Sequence, residues 1–261
     1  MAEEMPMPAA TPQPPTGEAK EKYIRHLFDS IAEHYDFMNM VMSFGMLKYW
    51  HRVFRSLTNL SPGGRALDVA CGTAELALIM AQQVGPTGHV EGVDLSPNMV
   101  AVGQRKIERL GMADRITLTV GNALDLPYPD NSFDCVATGF AMRNVADIHK
   151  AFAEMARVTR PGGRVICLEL SRPVNPLLRA PYNFYLNRIV PILGRWNERR
   201  FARQNPDQLM PYTWLPESLK YFPDQEGLAE IYREAGLVDV FYRNLSGGVV
   251  CLHVGTKPGA N

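Results

Sequence analysis

The residues whose type and spacing suit chemistry gather in two short stretches. Asp68 lies within an apolar run, Gly72 and Thr73 follow after a break, and Asp94 closes a second run 22 residues beyond Gly72. A glycine without a Cβ lets a ligand lie against the backbone. An acid at the tip of the second strand of a nucleotide-binding α/β fold accepts hydrogen bonds from ribose hydroxyls, and Asp94 has the spacing for that role. The turn lacks the second and third glycines that would let a pyrophosphate approach the backbone and the helix start. A dinucleotide is therefore poorly served. S-adenosylmethionine carries a ribose, a sulfonium and an amino-acid end but no phosphate, which suits one tight turn flanked by the carboxylates of Asp68 and Asp94. An ordinary βα turn would share the first stretch, so Asp94 is what points to a cofactor.

These residues need a particular scaffold. Residues 65–70 read as a strand, 74–83 as a helix and 89–94 as a second strand. Ser96-Pro97 then opens a helix with a capping hydroxyl, and Gly111 stops it. Further strands are expected at 116–121, 135–139 and 164–170, with a helix at 149–160 and a turn at Pro161-Gly-Gly163. This alternation implies a parallel, doubly wound α/β sheet. Its last two strands, 238–245 and 249–256, are joined by Ser246-Gly-Gly248, so they form an antiparallel hairpin. Ligands of such sheets bind at the carboxyl ends of the strands, which should bring Gly72, Asp94, Leu95, Asn122, Ala123 and the loop from Gly139 to Asn144 into one crevice.

Two segments fall outside that rhythm. Residues 21–57 read as helical and rich in methionine and aromatics, from Tyr23 through Met38, Met40, Met42 and Met46 to Trp50. Each could be packing; together they suit a surface that moulds to a flexible apolar ligand. Residues 173–222 carry paired aromatics, Tyr182, Phe184, Tyr185, Trp196, Phe201, Tyr212, Trp214 and Tyr221, without a strand signal. They read as a helical cap over the crevice. Residues 177–196 mix aliphatics with Arg179, Arg188 and Arg195, a pattern that fits either a helix at a membrane interface or one that simply covers a pocket.

Composition limits the function classes. The chain has 261 residues, 46% of them hydrophobic, enough for a sizeable core. Its 27 basic and 27 acidic residues balance to zero, so there is no electrostatic footprint for nucleic acid. The four cysteines, Cys71, Cys135, Cys167 and Cys251, form no C-x-x-C pair, and free thiols rather than a zinc site or a disulfide framework are expected. No metal site is indicated. Residues 1–20 form a proline-rich tail expected to be disordered, without the basic and apolar regions of a signal peptide. No apolar run reaches the roughly 18 to 20 residues that a spanning helix requires.

Together, Leu67-Asp-Val-Ala-Cys-Gly-Thr73 and the terminal hairpin resemble a class I S-adenosylmethionine-dependent methyltransferase. Narrower motifs resemble the ubiquinone/menaquinone biosynthesis C-methyltransferase family: Tyr35-Asp-Phe-Met-Asn39 with Met42-Ser-Phe-Gly45, Gly121-Asn-Ala123 with Leu126-Pro127, Met142-Arg-Asn-Val145, Phe222-Pro-Asp-Gln225 and Asn244-Leu-Ser-Gly-Gly-Val-Val-Cys-Leu-His253. The resemblance covers nearly everything after residue 22. It implies one domain over 21–261, with helices at 21–60 and the cap at 173–222 added to a seven-stranded Rossmann-like sheet. It also implies cofactor contacts through Thr73, Asp94, Asn122 and Ala123. The chain departs from the family at Ala74, where glycine is usual, and at Gly139, where a serine hydroxyl is often found.

The implied reaction transfers a methyl group to a ring carbon of a reduced prenylated quinone precursor, a naphthoquinol or a benzoquinol. A sterol or phospholipid-amine acceptor would suit the same aromatic cap, and a dehydrogenase is disfavoured by the missing glycines. A quinol becomes nucleophilic at carbon when a hydroxyl ionises, and positioning alone can supply about 7 to 11 kcal/mol of the barrier. A guanidinium keeps its charge at any useful pH, so Arg143 is assigned phenolate stabilisation, directly or through water, and Asn144 orients the ring. For the base the candidates are Asp36, Tyr35 or a water held by them. His149 and His253 read as structural. A prenylated acceptor implies a cytoplasmic protein that visits the membrane surface, and the residues leave a homodimer open.

Overall fold

A computed structural model describes residues 15–194 and 211–259. Seven strands form one sheet in the order β3-β2-β1-β4-β5-β7-β6. In chain order they are β1 Arg65–Val69, β2 His89–Asp94, β3 Ile116–Val120, β4 Phe133–Gly139, β5 Thr159–Leu170, β6 Val238–Leu245 and β7 Val250–Thr256. The first five are parallel; β7 runs antiparallel to both β5 and β6. The seven-stranded mixed sheet is therefore as expected.

Two apolar layers cover the sheet. Ala66, Ala137, Ile166, Leu168 and Leu252 face one layer, while Leu67, Val69, Val136, Val165 and Cys167 face the other. This alternation is the two-residue period of a strand buried on both sides, and it explains why the central strands read as continuous apolar runs. The helices that cover the faces are capped by side chains, of which the sequence pattern singled out Ser96. Ser96 accepts from the Met99 N–H at the start of α5 Pro97–Arg109, Asp147 from Lys150 before α6 Ile148–Val158, and Asp224 from Gly227 before Gln225–Glu234.

The fifth strand departs from expectation. It starts at Thr159, with Pro161-Gly162-Gly163 inside it, because Thr159 pairs with Phe133 and Arg164 with Cys135. The extra residues bulge outward, Gly162 takes φ +77°, and Gly162 and Gly163 exchange backbone hydrogen bonds with Lys257. What reads as a turn in sequence is a bulge held by the end of β7.

The helices outside the sheet pack on one another. α1 Gly17–Ile31, α2 Tyr35–Met42 and α3 Leu47–Leu57 precede β1. Residues 17–20 thus belong to α1 rather than to a tail, and residues 1–14 lie outside the described residues. The cap segment contributes α7 Pro176–Phe184, a π-helical turn at Tyr185–Ile189 and α8 Pro211–Tyr221, while Arg195, Trp196 and Phe201 lie outside the described residues. Tyr23, Leu27 and Ile31 of α1 and Met38 of α2 share a third core with Leu186, Val190, Tyr212 and Trp214. The amino-terminal helices and the cap are thus one roof. The helix Gln225–Glu234, α9, lies beyond it, against β6 and β7.

Candidate active site

The turn after β1 is built by two backbone bonds, Cys71 N–H to Val93 O at 3.0 Å and Ala74 N–H to Cys71 O at 2.8 Å. Ala74 sits in the left-handed region at φ +69°, which costs a residue with a Cβ about 1 to 2 kcal/mol. The alanine does not prevent the turn. Asp94 then locks the turn to β2: the Gly72 N–H donates to Asp94 Oδ2 and the Ser96 N–H to Oδ1, each at 2.8 Å. A carboxylate has about four lone-pair sites, so each oxygen keeps capacity for one ribose hydroxyl. Burial pushes the Asp94 carboxyl up to about 6.

Around Asp94 lies a cavity of about 730 Å³ that is open to solvent. Gly72, Asp94, Leu95, Asn122, Ala123 and Gly139 all line it, and α1 closes it with Glu21, Ile24, Arg25 and Phe28. Its charged walls are two acids and one arginine, which suits an uncharged adenosine better than a pyrophosphate. Asn122 has its amide engaged, donating to Glu21 at 3.0 Å and accepting from the Leu124 N–H at 3.0 Å. At Gly139 a Cβ would come within 2.8 Å of Leu76.

Asp68 and Thr73 are placed differently. Asp68 is buried beneath the turn, where it accepts from the Ala77 N–H at 2.8 Å and so caps α4 Glu75–Val84. Desolvation raises its carboxyl to about 8, so at neutral pH it is mostly a neutral acid rather than the carboxylate expected beside the turn. Thr73 donates its hydroxyl to Asp36 at 2.5 Å, and Asp36 is also ion-paired with Lys106. Asp68, Thr73 and Asp36 line a neighbouring cavity of about 920 Å³ rather than the cofactor cavity itself.

A second, larger cavity of about 890 Å³ opens under the roof. Its walls include Leu27, Ile31, Met42, Leu186 and Val190 with Tyr182, Tyr185, Tyr212 and Trp214, and among the described residues its one charged residue is Arg143. Phe28, Tyr35, Phe140 and Asn144 line both cavities and form the wall between them. Phe140 holds φ +56°, a conformation rare for a bulky residue and concentrated at functional sites. Burial raises the Tyr35 phenol above its ordinary range.

The turn that carries Arg143 and Asn144, Met142–Asn144, is braced from three sides. Arg143 donates to Glu169 at 2.6 Å and to the Phe140 carbonyl at 2.5 Å. Lys20 of α1 donates to the Val145 carbonyl at 2.6 Å. Trp214 of α8 donates to Asn144 Oδ1 at 2.9 Å. Sequence reasoning singled out Arg143 and Asn144 but missed Glu169, Phe28, Phe140 and the role of Trp214. Only Glu169 left a trace, as an acid inside the apolar run Ile166-Cys-Leu-Glu-Leu170, where a buried charge needs a partner. His149 is an exposed partner of Glu234, and His253 is buried against the Gln225 carbonyl and held down at about 4 by desolvation; neither lines a cavity described above.

A sheet in this order, with a ribose-ready acid beside the first turn and no phosphate cradle, defines an S-adenosylmethionine-dependent methyltransferase. Solved structures share the fold. A Haloferax volcanii putative methyltransferase, solved in complex with the Trm112 methyltransferase activator, aligns with TM-score 0.61 at 18% identity over 88% of this chain and 97% of its own. A putative S-adenosylmethionine-dependent methyltransferase of Methanococcus maripaludis aligns with TM-score 0.60 at 18% identity over 90% and 95%. The chain belongs to the ubiE/COQ5 methyltransferase family, whose pattern matches residues 16–257. It is 48% identical to a demethylmenaquinone methyltransferase of Symbiobacterium thermophilum, over 94% of this chain and 96% of that one. With the protein of the same description from Geobacillus kaustophilus the identity is 42%, over 92% and 99%.

Proposed function

We propose that this methyltransferase adds a methyl group to a ring carbon of demethylmenaquinol, giving menaquinol. The observation that carries the reading is the shared wall: an aromatic-lined apolar cavity, with one charged residue among the described residues, meets the cofactor cavity at Phe28, Tyr35, Phe140 and Asn144. A methyl group can pass there from one ligand to the other. The relatives described as demethylmenaquinone methyltransferases support the choice of acceptor.

When bound, S-adenosylmethionine supplies an electrophilic methyl group. Asp94 holds the ribose, Gly72, Leu95, Asn122, Ala123 and Gly139 shape the cavity, and Asp68 and Thr73 brace it from behind. Asn144 faces the ring oxygen from the shared wall, and Arg143 favours the ionised hydroxyl from within the acceptor cavity. Tyr35 serves as a donor, because burial works against its phenolate. Asp36 is committed to Thr73 and Lys106, and no carboxylate or imidazole lines the acceptor cavity among the described residues. In this reading the ring proton leaves to water.

Both cavities are lined within one chain, so the reading needs no second copy, and the chain from α1 onward acts as one domain. The acceptor's tail also places the protein at a bilayer surface, although none of the described helices is long and apolar enough to cross a membrane.

The test is incubation of purified protein with S-adenosylmethionine and a chemically reduced, short-tailed demethylmenaquinone, followed by mass spectrometry. One methyl on ring carbon is the expected product. Cofactor binding without that product, together with methylation of a benzoquinol or a phospholipid amine, would reassign the acceptor.

A further inference from the structure

We infer that Trp214, from the cap, is a positioning residue that fixes which end of the Asn144 amide faces the reacting ring. The inference rests on the proposed role of Asn144. An amide presents a carbonyl at one end and an NH2 at the other, and a half-turn exchanges them. Here the exchange is blocked by chemistry, because an indole N–H can only donate. Trp214 Nε1 lies 2.9 Å from Asn144 Oδ1, so the carbonyl is consumed on the cap side and Nδ2 is left for the opposite side.

That NH2 group is buried and has no partner among the described residues, while Asn144 itself is only 5% exposed and lines both cavities. A buried donor without an acceptor costs about 1 to 3 kcal/mol. The cost is relieved if a ligand brings an oxygen to it. A ring oxygen that is losing its proton is such an acceptor, and it accepts more strongly as negative charge develops. The reverse orientation would present a carbonyl, which favours the un-ionised hydroxyl and therefore the less nucleophilic ring.

Trp214 is itself held in place. It packs edge-on against Tyr23 of α1, with ring centroids 5.2 Å apart, within the core shared by α1 and the cap. The backbone of the 142–144 turn is fixed separately by Lys20 and by the Asn144 N–H to Ala141 carbonyl bond. Loss of the indole N–H therefore frees the side-chain amide while leaving the turn in place. The amide orientation thus depends on a residue of the roof, which makes turnover sensitive to cap position although no described cap residue lines the cofactor cavity.

The test is a double-mutant cycle of Trp214→Phe and Asn144→Ala, read as kcat, acceptor KM and cofactor Kd. Phenylalanine keeps the aromatic packing on Tyr23 and removes only the donor. Expected for Trp214→Phe is a fall in kcat of about 10- to 100-fold, with cofactor Kd and acceptor KM within about twofold of wild type. In the Asn144→Ala background the same change should cost nothing further, because the group it orients is gone. An equal loss in both backgrounds would assign Trp214 to packing and overturn the inference. So would wild-type kcat for Trp214→Phe while Asn144→Ala is inactive, an outcome that leaves the Asn144 reading standing. Full activity of Asn144→Ala would remove both. If Trp214→Phe folds poorly, Asn144→Asp supplies the second test: it keeps an acceptor for the indole N–H but replaces the NH2 by an oxygen, and should lower kcat as far as Asn144→Ala does, whereas wild-type kcat would overturn the inference.

Discussion

A single carboxyl sets how this enzyme should respond to acid. Asp94 titrates near 6 in the cofactor-free fold, above its unfolded value of 3.8, because burial penalises its charge. The fold therefore holds the Asp94 proton more tightly than the unfolded chain does. For this group stability falls as pH rises from about 4 to 6, while the carboxylate that accepts two ribose hydroxyls appears only above about 6. Calorimetric titration should accordingly give a constant S-adenosylmethionine affinity above about pH 7 and a decline approaching tenfold per unit below 6. Asp94→Asn should flatten that profile and weaken binding throughout. Asp68 makes a contrasting case, since an acid held near 8 is already neutral at pH 7. Asp68→Asn keeps the bond to the Ala77 N–H and should change stability by less than about 1 kcal/mol, whereas Asp68→Ala loses the cap and should cost about 1 to 2 kcal/mol. Urea unfolding of both variants at pH 7 checks this, and equal losses would show that Asp68 is ionised there.

At the scale of elements, β5 and the turn after β4 are joined by the buried pair of Arg143 and Glu169, whose side chains are 8% and 1% exposed. Removing one member leaves a buried charge, so Glu169→Leu should cost about 3 to 5 kcal/mol in urea unfolding. Arg143→Leu combined with Glu169→Leu should recover most of that stability yet stay inactive with cofactor still bound. Recovery of turnover in the double variant would take Arg143 out of the chemistry. This pair also marks where legibility ends. The strands were readable because burial on both faces writes apolar runs, and the cap at Ser96 because a hydroxyl before proline stands where orphan N–H groups need an acceptor. The crevice followed from topology, which brought Gly72, Asp94, Asn122 and Gly139 together. Sequence could not show that Phe28, Tyr35, Phe140 and Asn144, from distant segments, meet in one wall. Nor could it show that Thr73 and Asp36 would satisfy each other rather than face a ligand, because partner choice is decided by packing between elements.

At the scale of the whole molecule the charge is balanced, but its distribution is not. Residues 37–67 and 173–194 contain no Asp or Glu, while Lys48, Arg52, Arg55, Arg179 and Arg188 lie within them. The two segments are fastened together: the Tyr185 hydroxyl donates to the Met42 carbonyl at 2.7 Å, and the rings of Phe44 and Tyr185 lie 5.3 Å apart. They supply Met42, Ser43, Tyr182 and Tyr185 to the acceptor cavity, and outside it they leave large apolar side chains in solvent, Leu177 at 83% exposure and Phe44 at 77%. None of the nine residues of α7 is fully buried, and apart from Tyr182, which reaches the cavity, the helix faces outward. An apolar surface without acids, beside the cavity for an apolar acceptor, suits an anionic bilayer. Each cation near such a surface contributes about 1 kcal/mol and each inserted leucine or phenylalanine about 1.5 to 3 kcal/mol. Sedimentation with vesicles containing phosphatidylglycerol should show binding that weakens as salt is raised from 0.05 to about 0.5 M, because screening shortens the reach of the cations. Leu177→Glu combined with Phe184→Glu should lower vesicle binding by about tenfold or more, yet leave turnover of a short-tailed acceptor in detergent-free buffer near wild type, since neither residue lines the cavity. Undiminished vesicle binding by that variant would move the bilayer contact to another face, and loss of turnover with the short-tailed acceptor would show that α7 shapes the cavity rather than its approach.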